Sequence, residues 1–289
     1  MRPPALRPAF VALALLVPAC RAAGPGTPPA SGSSDSGPSD SGPGTTAPAD
    51  LTATYTDADG TTGNYRLMVG AGVPASPGVL LFFDGDFLGK RFAADAAARV
   101  DIAAAHGLLV VSMQNPDLPP GNGCWWAPEV EEYARYVDGF VSEVLVGQWG
   151  VDPSRVFLTG LSGGSDFSAA FGYHTGWRYG GGAVALCGGD VPRLDGGSCD
   201  ESLDPPAAPD PDKIPAAALA DYRYAYRIDA TDPLYDYATA SAAWYSDHGF
   251  AHVDLQVVAG SGHCGFVDGF DGIKQLEDGL DSVDPRVTP

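Results

Sequence analysis

Val156-Phe157-Leu158-Thr159-Gly160-Leu161-Ser162-Gly163-Gly164-Ser165 decides how this chain is read. Val156 to Thr159 has the apolar, β-branched character of a short strand buried on both faces. From Ser165 to His174 the pattern turns helical. Between the two stands Gly160-x-Ser162-x-Gly164, and a G-x-S-x-G at a strand-to-helix turn is the setting of a strained nucleophile elbow. Glycines at 160 and 164 let strand and helix approach closely, and the turn lifts the Ser162 hydroxyl at the carboxyl edge of a sheet. The Gly163 N–H would then lie near any oxyanion formed by attack of Ser162.

Working outward, the same alternation recurs. Val79 to Phe83, Leu108 to Met113, Ala183 to Leu186, Tyr222 to Ile228 and Val253 to Val258 read as further strands. Phe92 to Ala105, Glu129 to Gln148 and Leu234 to His248 read as helices between them. Apolar strands alternating with helices specify an α/β class: a mostly parallel sheet covered by helices on both faces. Ahead of it, Leu51 to Thr56 and Tyr65 to Val69 form an N-terminal antiparallel hairpin. Its turn contains Asp57-x-Asp59-Gly60, but the later ligands of a calcium loop are missing, so a plain turn is the better reading. Sites in such sheets lie beyond the carboxyl ends of the strands.

A serine nucleophile needs a base, and position sorts the five histidines. His106 and His248 each precede a glycine at a helix end, His174 closes a helix, and His252 opens a strand. Only His263, in Gly260-Ser261-Gly262-His263-Cys264-Gly265, follows a strand at the carboxyl edge. The acid that orients it should follow the strand ending at Ile228, where Asp229, Asp232 and Asp236 stand. Asp232, followed by Pro233, is preferred over Asp229. The second oxyanion donor should come from Asp84-Gly85-Asp86 after the strand ending at Phe83, with the Asp86 N–H as candidate. Trp125 and Trp126 follow the strand ending at Met113, and are expected to wall the site or else to pack under a long loop.

Tyr136-Val137-Asp138-Gly139-Phe140-Val141 and the run from Val151 to Gly164, with Asp232-Pro233 and Gly262-His263-Cys264-Gly265, resemble the polyhydroxybutyrate-depolymerase and feruloyl-esterase branch of the α/β-hydrolases. The order Ser, Asp, His agrees with that superfamily. Asp84, where that branch usually has His before Gly, and Asp229-Ala230, where it has His-Gly, are departures. The resemblance implies hydrolysis of short-chain or aromatic acyl esters, small or on a polymer, by an acyl-enzyme at Ser162 with no cofactor. A catalytically inactive binding lipoprotein and a serine peptidase are the alternatives. Residues 188 to 221 show no helical pattern long enough for a large lid, which disfavours a lipase.

The 289 residues carry 36 acidic against 16 basic side chains, a formal charge of −20. Such a chain is repelled by phosphate backbones, which excludes nucleic acid as a partner. Arg2 and Arg7 precede or flank an apolar run, Ala9 to Val17, too short to span a bilayer. It ends in Ala19-Cys20, as in a lipoprotein signal in which Cys20 is lipidated. Residues 1–20 are therefore expected to be a signal, 21–50 a Gly/Pro/Ser-rich flexible tether, and 51–289 the catalytic domain. Export follows, to the cell envelope or as a secreted protein, with membrane contact only through the Cys20 lipid. Cys124, Cys187, Cys199 and Cys264 remain, an even number suited to disulfides, with Cys187–Cys199 and Cys124–Cys264 the expected pairs. Their spacing fits no zinc motif, so no metal is expected.

Overall fold

A computed structural model of the chain describes residues 50–86, 94–116, 125, 130–189, 211–260, 262–267 and 270–287. The chain separates into two units, Met1–Thr45 and Thr46–Pro289, and every described residue lies in the second. The expected signal and tether, with Cys20, lie outside the described residues.

The strands are β1 (Asp50–Thr56), β2 (Thr62–Met68), β3 (Gly78–Phe83), β4 (Leu108–Met113), β5 (Val156–Leu161), β6 (Gly181–Leu186), β7 (Arg223–Asp229) and β8 (His252–Val258). They form one sheet in the order β1-β2-β4-β3-β5-β6-β7-β8. β1 pairs antiparallel with β2 and β2 with β4, while every pairing from β4 to β8 is parallel. Every residue of β3, β4, β5 and β6 is buried, which is why these strands read as unbroken apolar runs. In the hairpin turn the Asp57 carboxylate accepts the N–H groups of Asp59 (3.0 Å) and Thr61 (2.9 Å). That uses the aspartate as a turn former.

The helices are α1 (Ala94–Ala97), α2 (Val100–Ala105), α3 (Val130–Phe140), α4 (Gly147–Trp149), α5 (Gly163–His174), α6 (Ala216–Asp221), α7 (Tyr235–Asp247) and α8 (Phe270–Val283). A π-helical stretch, Val141–Val146, joins α3 to α4. Strand alternation sorts them onto two faces. On β7, Tyr224 stacks on Tyr245 of α7 with centroids 4.0 Å apart, and the Tyr245 hydroxyl donates to the Ala169 carbonyl of α5 (2.8 Å). The buried Arg227 points the other way, donating to the Asp278 carbonyl (3.3 Å) and the Ser282 hydroxyl (3.2 Å) of α8. It also pairs with Asp254 of β8 at 2.8 Å. Arg286, just past α8, reaches the His106 carbonyl at the end of α2 (3.1 Å), so α2 shares that face.

The expected α/β architecture and hairpin are both present, and most element ends fall within two or three residues of expectation. Three helical features differ. The alanine-rich run breaks into α1 and α2 around Arg99, whose guanidinium sits 4.7 Å above the Phe82 ring. The helices α6 and α8 carry no sequence-based assignment. In α8 the buried Leu276, Leu280 and Val283 recur at helical spacing, but Gly272 and Gly279 mask it. A Cβ on Gly279 would lie 2.5 Å from Val184, so that glycine records how closely α8 presses on β6.

Candidate active site

Ser162 links the end of β5 to the start of α5 with φ 51° and ψ −124°, a conformation that L-residues avoid. The crossing is tight. A Cβ on Gly160 would lie 2.3 Å from the Gly164 carbonyl carbon, and one on Gly164 would lie 2.2 Å from the Phe83 carbonyl oxygen. Both elbow glycines are thus required by close approach. Ser165, to which no sequence motif assigns a role, braces the turn from below. Its hydroxyl sits against the Gly160 carbonyl and 2.7 Å from that of Leu186, and accepts the Leu186 N–H (2.9 Å).

His263 Nε2 lies 2.9 Å from Ser162 Oγ. On the other side of the ring, Nδ1 is 2.9 and 3.1 Å from the two carboxylate oxygens of Asp232. The Asp232 carboxylate is buried, and also accepts the N–H groups of Leu234 (2.9 Å) and Cys264 (3.1 Å). Three residues from the β5–α5 turn, the β7–α7 turn and the segment after β8 are brought into one hydrogen-bonded line. Asp229, the rival acid, faces elsewhere: it accepts the N–H (2.5 Å) and the hydroxyl (2.7 Å) of Thr231. Thr231 Oγ1 in turn accepts the Gly262 N–H at 3.1 Å, so Asp229 steadies the segment leading to His263. Asp236 lies in the first turn of α7.

The Gly163 N–H opens α5, where backbone donors have no intrahelical acceptor. Asp86 is brought beside it, since a Cβ on Gly163 would lie 1.9 Å from Asp86 Oδ1. This side of the site is acidic. Asp84 is buried, and Asp166 accepts the Gly189 N–H at 2.7 Å. Among the described residues no group of three or more His, Cys, Asp or Glu is placed to hold a metal ion. No described helix is long and apolar enough to cross a membrane.

Two expectations are corrected. Cys187 is bonded to Cys264, with Cα atoms 5.0 Å apart, so neither the Cys187–Cys199 nor the Cys124–Cys264 pair forms. Sequence alone gives no distance between the loops that carry these cysteines, and each doubling of loop length costs only about 0.6 kcal/mol of closure entropy. Proximity in the fold therefore outranks the separation of 77 residues. Cys124 and Cys199 lie outside the described residues. Trp125 does not wall an open cleft: it is 2% exposed, with its ring 4.8 Å from Phe83 and 4.9 Å from Phe167. It belongs to the core under the elbow, pinning the end of β3 to α5. Trp126 lies outside the described residues.

No protein-family model and no curated protein matches the chain. Solved structures do resemble it. A CE1 ferulic acid esterase from Anaeromyces mucronatus, in complex with ferulic acid, superposes with TM-score 0.60 at 12% identity over 81% of this chain and 90% of that one. A hyperthermophilic esterase from the archaeon Pyrobaculum calidifontis gives 0.54 at 16%, covering 81% and 83%. A carboxylesterase from Mesorhizobium loti gives 0.54 at 19%, covering 78% and 97%. At these identities the likeness shows the fold, and the fold is that of the α/β-hydrolases.

Proposed function

We propose that the chain is an exported serine hydrolase that cleaves carboxylic esters through an acyl-enzyme on Ser162. The observation that carries this reading is the unbroken line from Ser162 Oγ through His263 to Asp232, with 2.9 Å at each link. In the reaction His263 Nε2 takes the Ser162 proton as Oγ attacks the ester carbonyl. Asp232 holds the ring with its proton on Nδ1 and stabilises the imidazolium that forms. The tetrahedral oxyanion receives the Gly163 N–H, with the Asp86 N–H as the second donor. His263 then protonates the departing alcohol, and water, deprotonated by the same ring, releases the acid. All these roles are filled by side chains and backbone, so the reaction needs no cofactor.

Esters are chosen over amides because the solved structures cited above are esterases by name, one of them holding ferulic acid. The proposed substrates are short-chain or aromatic acyl esters, small or on a polymer. An acyl chain longer than its pocket leaves methylenes in water, forgoing about 0.8 kcal/mol for each. Turnover of p-nitrophenyl esters should therefore stop rising near butyrate, and faster turnover of the palmitate under matched dispersion would replace this reading with a lipase. Export rests on the signal-like start, lipidation at Cys20 on its last residues, and both agree with a disulfide, which persists in oxidising compartments. The division into signal, tether and a catalytic domain over 51–289 is part of the same proposal.

One observation favours a second reading, a binding protein that has lost catalysis: the Asp86 carboxylate packs against Gly163, beside the proposed oxyanion site. A fluorophosphonate probe separates the two. Labelling of the wild type at Ser162, absent from Ser162→Ala, supports the hydrolase. A folded wild type that neither reacts with the probe nor cleaves any short or feruloyl ester ends it.

A further inference from the structure

The base of the proposed reaction is poorly held by packing. The His263 side chain is 40% exposed, so the aim of its ring depends on its hydrogen bonds to Asp232 and on the backbone that carries it. On the amino side that backbone is Gly260-Ser261-Gly262, with Gly262 at φ 87° and tied by one hydrogen bond to Thr231. On the carboxyl side stands Cys264, whose N–H donates to the Asp232 carboxylate and whose sulfur is bonded to Cys187.

Cys187 is the fixed end of that bond. It follows Leu186 directly, and its N–H donates to the Arg227 carbonyl at 2.9 Å, which continues the β6–β7 pairing beyond β6. Leu186 accepts the Ser162 N–H at 3.3 Å, and a Cβ on Gly188 would lie 2.6 Å from the Ser162 carbonyl oxygen. The disulfide therefore joins the residue after the base to the segment packed against the nucleophile. Ser162, Cys187 and Cys264, with φ of 51°, 52° and 54°, are the only non-glycine residues with positive φ among the described residues. Such conformations persist where the surroundings over-determine them and cluster at functional sites. All three meet here.

We propose that Cys187 and Cys264 are positioning residues of the site: their disulfide sets the distance and aim of His263 relative to Ser162. The inference rests on the ester-hydrolase reading and adds that catalysis depends on the oxidised state of this one bond. Reduction by a dithiol breaks the S–S bond and forms two thiols, while the dithiol loses two electrons and two protons and closes to its own disulfide. Cys264 is then held only by its hydrogen bonds, and the ring loses its registration with Ser162 Oγ. Misplacement by about 1 Å can cost about 100-fold in rate.

The test compares oxidised wild type with Cys187→Ala/Cys264→Ala, both assayed well below their melting temperatures and checked for fold by circular dichroism. A bond that only stabilises the chain would lower the melting temperature and leave the turnover of the folded variant unchanged. A positioning bond lowers kcat by tenfold or more, leaves KM within about threefold, and slows fluorophosphonate labelling of Ser162 in parallel. Should the double variant fail to fold, the same three quantities are measured on wild type reduced with dithiothreitol in the cold, and again after reoxidation, which should restore them. A folded variant or folded reduced protein with kcat within twofold of the oxidised wild type overturns the proposal. Inert oxidised wild type would instead strike the ester-hydrolase reading itself, so the two failures are distinguishable.

Discussion

Asp232 meets His263 Nδ1 with both carboxylate oxygens, at 2.9 and 3.1 Å, while Asp229, three residues earlier, turns to Thr231. Asp232→Asn keeps the size of the side chain but can offer an amide N–H to Nδ1, which favours the wrong imidazole tautomer. Loss of kcat on the order of 10⁴-fold is expected, as when an orienting carboxylate is neutralised in other triads. Asp229→Asn should cost far less, about tenfold or below, because Asp229 touches the loop and not the ring. Equal losses in the two variants, by steady-state kinetics on a p-nitrophenyl ester, would remove Asp232 from its proposed role.

Trp125 sits among Phe83, Phe167 and Tyr133 with almost no exposure. Trp125→Ala should therefore act on stability, by about 3–5 kcal/mol, the usual range for truncating a buried large aromatic. Urea unfolding followed by circular dichroism measures it. The ratio of feruloyl to acetyl ester hydrolysis in the folded fraction should not change, and a selective loss of feruloyl turnover would return Trp125 to the substrate wall.

Gly164 tests the elbow. A methyl group there meets the carbonyl oxygens of Phe83 at 2.2 Å and Asp84 at 2.5 Å, and backbone cannot step aside as a flexible side chain can. Gly164→Ala should destabilise the fold by about 1–3 kcal/mol, and should displace Ser162 enough to lower kcat as well. Gly60→Ala is the control, because no atom lies within 4 Å of its added Cβ and only its positive φ of 91° is strained. Its stability should fall, with kcat intact.

His174 provides a pH-dependent contribution to stability. Burial at the end of α5 pushes its pKa down from the ordinary 6.5 to about 4. The unfolded chain thus binds a proton at this position that the folded chain refuses. Stability attributable to neutral His174 is whole above about pH 6.5 and is lost progressively as pH falls toward about 4. His174→Gln should flatten that part of the curve of melting temperature against pH. An unchanged slope between pH 6.5 and 4 would show that other groups govern it.

Local sequence was sufficient wherever the determinants sit within a few residues. Val156 to Gly164 contains both the apolar strand and the glycines that its crossing with α5 requires, so the elbow is legible in the sequence alone. The parallel sheet was legible because β3, β4, β5 and β6 are buried on both faces and need no alternation. The helix α8 escaped because Gly272 and Gly279, placed by contacts with Val267 and Val184, look like helix breakers in one dimension.

What the sequence could not decide are the contacts between segments distant in the chain. Asp229 and Asp232 offer the same carboxylate in one turn, and only the path of the segment after β8 places His263 against the second. Trp125 carries the same indole in a wall or in a core, and the choice fell to Phe83 and Phe167 arriving from β3 and α5. Cys187 found Cys264, 77 residues away, because parallel pairing of β6, β7 and β8 brings their carboxyl ends to one edge. Strand and helix preferences are properties of a few neighbouring residues and their spacing. Partner choice is a property of the assembled sheet, in which the entropic cost of closing a long loop grows only as the logarithm of its length and is outweighed by proximity.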